Sequence, residues 1–150
     1  MKSHRFSLRV LGFGCLLGVA LSAQAADLEY HRPAGSKAPY AAAVRAGDTV
    51  YVSGQLGVGA DGKLPADFAS QASNTMANVA KVLGTAGASM DQVTQCTVMI
   101  ADMKDWAEFN KLYVAAFKPD HLPARSAMAV SALPMQAALE VGCTAYAPAG

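Results

Sequence analysis

Two ionic residues in the last third of the 150-residue chain stand out by type and position: Arg125, within Leu122-Pro123-Ala124-Arg125-Ser126-Ala127-Met128-Ala129-Val130, and Glu140, within Leu139-Glu140-Val141. Each is the single charge of an apolar, strand-like run, and a turn signal at Leu133-Pro134 lies between the runs. An ion in such a strand needs a partner, water or a ligand, because burying it unpaired is costly. A guanidinium can grip a planar carboxylate through two parallel hydrogen bonds, and a carboxylate can orient a water or carry a proton. Alternation along the second strand sets Glu140 on one face with Ala138, Gly142, Thr144 and Tyr146, and turns Leu139, Val141 and Cys143 toward the core. From these two residues alone, a structural Arg125–Glu140 ion pair is the favoured reading, and a carboxylate-binding, water-handling site is the other.

The rest of the chain must supply elements that hold this pair. Residues 28–32 read as a short strand, ended by Pro33, Gly35 and Pro39. Residues 41–56 read as a hairpin that turns at Ala46-Gly47-Asp48, and Gly54 interrupts its second arm, a mark of a bulge or of close backbone approach. Asp67 is placed to cap a helix whose apolar residues Phe68, Ala72, Met76, Val79, Leu83 and Ala86 recur every three or four positions before Gly87. Residues 92–101 read as a strand. A second helix, starting at Asp102 or Asp105, carries Trp106, Phe109, Tyr113 and Phe117, with Asn110 at the edge of that stripe. The order strand, hairpin, helix, strand, helix, strand, strand predicts an α+β domain: a single sheet with two helices on one face.

The first 25 residues are of another kind. Lys2, Arg5 and Arg9 precede an apolar run over residues 10–23, and Ala23-Gln24-Ala25 offers the small residues a signal peptidase accepts. The reading is a secretory signal over residues 1–25, followed by one domain over 26–150, periplasmic or secreted, with no membrane attachment once the signal is gone. Cleavage removes three of the twelve Lys and Arg residues, leaving nine cations against eleven acids. That balance does not recruit nucleic acid, whose binding rests on cationic contacts to phosphate. Cys96 and Cys143 remain, both in apolar runs, and are expected as buried free thiols, with a disulfide as the alternative if their strands are neighbours.

Several chemistries are excluded by inventory. Gly57-Val58-Gly59-Ala60-Asp61-Gly62 spells the dinucleotide pattern, but no helix opens on its last glycine and no acid lies between Asp67 and Asp91 to hold a ribose, so it is read as a loop. With only His31 and His121 left after cleavage and no His/Cys cluster, a metal site is not expected. G-x-S-x-G and the phosphate-binding P-loop are absent. What remains for chemistry is Arg, Glu, Tyr, Ser, backbone groups and water.

Taken together, Ala38-Pro39-Tyr40, the run from Val44 through Gly47-Asp48 to Ser53-Gly54-Gln55, Ala86-Gly87-Ala88-Ser89, Phe109-Asn110 with Tyr113, Pro123-Ala124-Arg125-Ser126 and Leu139-Glu140-Val141 resemble the RidA family of reactive intermediate deaminases, also called YjgF or L-PSP. The resemblance spans residues 38–146 in order and spacing. It implies a chorismate-mutase-like α+β fold, a homotrimer with clefts between subunits, and hydrolysis of 2-enamino and 2-imino acids to 2-keto acids and ammonia without a cofactor. Residue by residue it implies that Arg125 grips the substrate carboxylate and Glu140 positions water, with Tyr40, Ser53, Gly54, Asn110 and the backbone at Ala127 binding substrate. The chain departs from the family in carrying Ala127 where many relatives have cysteine, and Gly142 where a second acid is frequent. The competing readings are a non-catalytic exported ligand-binding or holdase protein on the same trimer, and the ribonuclease activity in one family name, against which the negative mature charge argues.

Overall fold

A computed structural model describes residues 27–148, so the proposed signal over residues 1–25 lies outside the described residues. Apolar, β-branched and alternating runs give strands β1 (Leu28–His31), β2 (Ala43–Ala46), β3 (Thr49–Val52), β4 (Gln55–Leu56), β5 (Val93–Ile100), β6 (Ala124–Ala129) and β7 (Leu139–Tyr146). They form one sheet in the order β1-β2-β3-β7-β5-β6, with β4 also beside β7. Only β5 and β6 run parallel, which the intervening helix crossover allows.

The expected hairpin arm of residues 49–56 is divided. Tyr51 pairs with Thr144 but Gln55 pairs with Val141, so the β3–β4 side carries one residue more than β7 between these pairs. That bulge falls at Ser53-Gly54. A glycine suits it, because the backbone there passes close to a neighbouring side chain.

Helix α1 (Phe68–Thr85) begins where Asp67 accepts a hydrogen bond from the Ser70 amide at 2.8 Å. It ends at Gly87, which takes φ +70°, while the Ala88 and Gly87 amides return to the carbonyls of Leu83 and Gly84. Arg45 of β2 completes that end. Its Nε and Nη2 donate to the Ala86 carbonyl at 3.0 and 2.9 Å, placing a cation at the negative end of the helix, and its Nη1 reaches the Ala147 carbonyl at 2.8 Å. Helix α2 (Trp106–Ala115) follows a short 3-10 turn, over Met103–Asp105, that Asp102 caps through the Lys104 amide. Both helices cover the sheet face that carries Val50, Val98, Ile100, Leu139 and Val141, and Val79, Leu83 and Phe109 close the core from above, all at 0% exposure.

The glycine-rich stretch from Gly57 is a loop, as expected. Gly57 packs so tightly on α1 that a Cβ there would lie 2.2 Å from the Gln71 carbonyl oxygen, and the helix opens only at Phe68.

One expectation is overturned. Cys96 and Cys143 are not free thiols but a disulfide, because β5 and β7 are adjacent and set the two residues directly opposite, with Cα atoms 4.1 Å apart. A sequence separation of 47 says nothing about adjacency; the strand order decides it. Closing a loop of that length is worth about 4 kcal/mol through the restricted unfolded chain. Urea unfolding with and without reductant should therefore show a lower midpoint for the reduced protein, and equal midpoints would disprove the bond.

Candidate functional site

Glu140 lies on β7, between Leu139 and Val141, whose side chains are in the core. Its own side chain therefore leaves the sheet on the face away from the helices, the side of Gly142 and Thr144. There it shares a cleft of about 300 Å³ with Tyr40, Ser53, Gly54, Leu56 and Pro134. Ser53 is held in place as its Oγ donates to the Ala41 carbonyl at 2.7 Å and its amide to Ala42 at 3.0 Å. From behind, Gln55 Nε2 donates to the Ser53 and Gly54 carbonyls at 2.8 and 3.3 Å. The carboxylate crosses directly over Gly54, where a Cβ would stand 1.8 Å from Glu140 Oε1. Among the described residues, Glu140 enters no salt bridge.

Arg125 sits elsewhere. Pairing Cys96↔Arg125 and Cys96↔Cys143 puts the Arg125 side chain on the helix face, with Ala127 two residues along on the same face. Its guanidinium lies over two rings of α2, with Cζ 4.7 Å from the Trp106 centroid and 4.5 Å from that of Tyr113. Cation–π contact on two sides orients a long side chain that would otherwise be mobile. Asn110 falls on the same helical stripe, four residues after Trp106 and three before Tyr113. Arg125 Nη1, Asn110 Oδ1 and Tyr113 Oη are all buried and lack a hydrogen-bond partner. Buried polar atoms are nearly always satisfied, so three orphans on neighbouring side chains mark a place that receives something. Burial pushes the Tyr113 hydroxyl above its usual pKa, and the Arg125 charge offsets part of that rise, so this hydroxyl stays protonated and able to donate.

The intrachain Arg125–Glu140 ion pair, the favoured reading of those two residues alone, is thus absent. The residues occupy opposite faces of the sheet, two strands apart, and Glu140 is level with Met99 and Met128 rather than with Arg125. That separation is roughly 10 Å across the strands and roughly 10 Å along them. The sequence-predicted site residues fall into two groups: Tyr40, Ser53, Gly54 and Glu140 in one cleft, and Asn110, Arg125 and Ala127 around α2 and β6.

An α+β domain with an acid cleft on its open face and a stacked arginine under its second helix defines the class. Residues 30–147 match the family described as Endoribonuclease L-PSP, and the chain belongs to that family, also named RidA and YjgF. It is 40% identical over 110 residues to the RutC family protein UK114 of Drosophila melanogaster, covering 72% of this chain and 79% of that one. It is 36% identical over 105 residues to the 2-iminobutanoate/2-iminopropanoate deaminase of Mus musculus, covering 69% and 77%. Among solved structures, E. coli TdcF with bound serine is 33% identical at a TM-score of 0.70, covering 79% of this chain and 96% of that one.

Sequence reasoning missed Leu56 and Pro134 in the cleft, and the roles of Trp106 and Tyr113 as the bed of Arg125. The seven-residue spacing of those aromatics around Asn110 is a usable signal. Pro134 is aimed by Met135 and Gln136, both in the left-handed region at φ 57° and 59°, a conformation side-chain-bearing residues rarely hold and which no local motif announces.

Gly54→Ala should displace the Glu140 carboxylate while leaving the fold standing, since the clash falls on a side-chain end beside an open cleft. Displacement by about 1 Å lowers turnover roughly 100-fold. Steady-state kinetics beside a melting curve checks this; unchanged kcat in Gly54→Ala would show that the position of Glu140 is immaterial.

Proposed function

We propose that this protein hydrolyses small 2-imino acids and their 2-enamino tautomers to 2-keto acids and ammonia, in a cleft shared between two copies of the chain. The carrying observation is the orphaned, ring-stacked Arg125 beside Asn110 and Tyr113, with a free acid, Glu140, on the opposite sheet face. A relative named 2-iminobutanoate/2-iminopropanoate deaminase supports the reaction class. The ribonuclease in the family's description finds no support in a chain that, once the proposed signal is removed, carries more acids than cations.

Arg125 holds the substrate carboxylate by two parallel hydrogen bonds, and Asn110 and Tyr113 complete the anchor. A second copy brings its Tyr40, Ser53, Gly54 and Glu140 over the imine carbon. Glu140 accepts a proton from water as the oxygen–carbon bond forms. It returns that proton to nitrogen to give the carbinolamine, then takes the proton of the new hydroxyl and passes it to the amine, so the carbon–nitrogen bond breaks as the carbonyl forms and ammonia leaves. The atoms balance as imine plus water giving ketone plus ammonia, using neither metal nor cofactor. Holding both reactants in one geometry supplies the acceleration, and free imines already hydrolyse in water.

A homotrimer is part of this proposal. Among the described residues β6 is an edge strand with an unpaired side, exposed at Ala124, Ser126, Ala127, Met128 and Ala129, and the sheet face away from the helices exposes Tyr51, Met128 and Tyr146 at 46–55%. An uncovered edge and an apolar face favour assembly. Export through the signal over residues 1–25 is likewise proposed, and puts the reaction in the periplasm or outside the cell.

Glu140→Gln should cut ammonia release from an enzymatically generated imino acid roughly 100-fold, with the melting temperature unchanged because no cation loses its partner. A large melting shift with activity kept would make Glu140 architectural. Turnover no faster than the uncatalysed rate in the wild type would instead favour the non-catalytic binding protein. Shared sites have a further signature. Co-expressing inactive Arg125→Ala and Glu140→Gln chains should restore about a quarter of the activity, as random pairing in a closed ring joins the two intact halves at that frequency. No recovery would confine the site to one chain.

A further inference from the structure

We infer that a cavity on the helix side of the sheet is a second binding site, for a small organic anion with an apolar body. It lies between α1, the segment after β1 and the start of β4, and holds about 520 Å³, within the range of small-molecule sites and larger than the Glu140 cleft. None of the residues assigned to the deaminase reaction lines it.

Its chemistry is one-sided. Arg32, Lys81 and His31 line it, and no aspartate or glutamate does. Arg32 is steadied at the rim by donating Nη1 to the Ala38 carbonyl at 3.0 Å, and Lys81 has no salt bridge among the described residues. His31 Nε2 is buried without a hydrogen bond and has Glu29, on a side chain 62% exposed, at ion-pair distance, 3.9 Å. The side-chain NH2 groups of Asn78 and Gln55 are already engaged, Asn78 donating to the Leu56 and Val58 carbonyls and Gln55 to those of Ser53 and Gly54. Val82, Ala42 and Pro33 supply an apolar wall. Unpaired cations at the rim, an orphaned imidazole nitrogen and an apolar wall fit one carboxylate or phosphate head on a hydrocarbon body, and bare phosphate fits less well.

The place is also connected. Gln55 belongs to the cavity wall and clamps the carbonyls of Ser53 and Gly54, the backbone over which the Glu140 carboxylate passes. The two sites share this strand but open on opposite faces of the sheet, so their occupants do not compete.

The probe is 8-anilinonaphthalene-1-sulfonate, an aromatic anion of suitable size, titrated into the full chain by fluorescence. Saturable binding of one dye per chain is expected. Arg32→Glu with Lys81→Glu should weaken it about tenfold or more at unchanged melting temperature, because both cationic contacts are reversed. Uncharged N-phenyl-1-naphthylamine should bind at least as weakly to the wild type, and excess 2-oxobutanoate should not displace the sulfonate. Benzoate and phenyl phosphate identify the head group by which displaces the dye better; displacement by neither overturns the proposal. So does full affinity in the charge-reversed variant, equal binding of the neutral dye, or displacement by 2-oxobutanoate. Dye binding is read without turnover, so a failed deaminase assay leaves this inference standing, and a failed titration leaves the deaminase reading untouched.

Discussion

The structure depends on a single geometric constraint: successive side chains of a strand leave opposite faces of the sheet. β5 lies between β6 and β7, and its Cys96 is level with both Arg125 and Cys143. Once Cys143 is committed to the core and to the disulfide, Arg125 must share that face, under α2. Glu140, an odd number of residues from Cys143, must take the other. No rotamer change can bring the two charges together within a chain, so a function that needs both implies a second copy.

Each group is then held by means that suit its charge. The guanidinium rests on the faces of Trp106 and Tyr113, which attract a cation without neutralising it and leave Nη1 free. An acid in place of either ring would satisfy the arginine and remove its capacity for a ligand. The carboxylate is held by the absence of a side chain, at Gly54, and by a bulge that brings that backbone under it. Gln55 supports the bulge from the side of the core, and Arg45 ties the end of α1 to the chain beyond β7, so both helix and sheet supporting the site are braced by polar contacts to backbone carbonyls.

Exposed surface follows the same division. The helix face is sealed by Phe109, Leu83 and Val79, whereas the opposite face leaves Tyr51, Met128 and Tyr146 in contact with solvent and, among the described residues, β6 leaves one edge unpaired. Burying this face and edge would cover that apolar area.

Local signals along the chain were enough to place the elements and their polarity. Asp67 and Gly87 bounded the first helix, Gly54 marked the bulge, alternation around Glu140 assigned its face correctly, and the spacing of six short motifs identified the family. These are local signals, readable because capping, turns and alternation act over a few residues. Adjacency came from the packed fold: that β5 borders β7, joining Cys96 to Cys143; that Arg125 and Glu140 face apart rather than pairing; that Trp106 and Tyr113 serve the arginine and not only the core; and that Pro134 enters the cleft. Each depends on which distant strands become neighbours, a choice made by the whole core packing at once, and no run of a few residues encodes it.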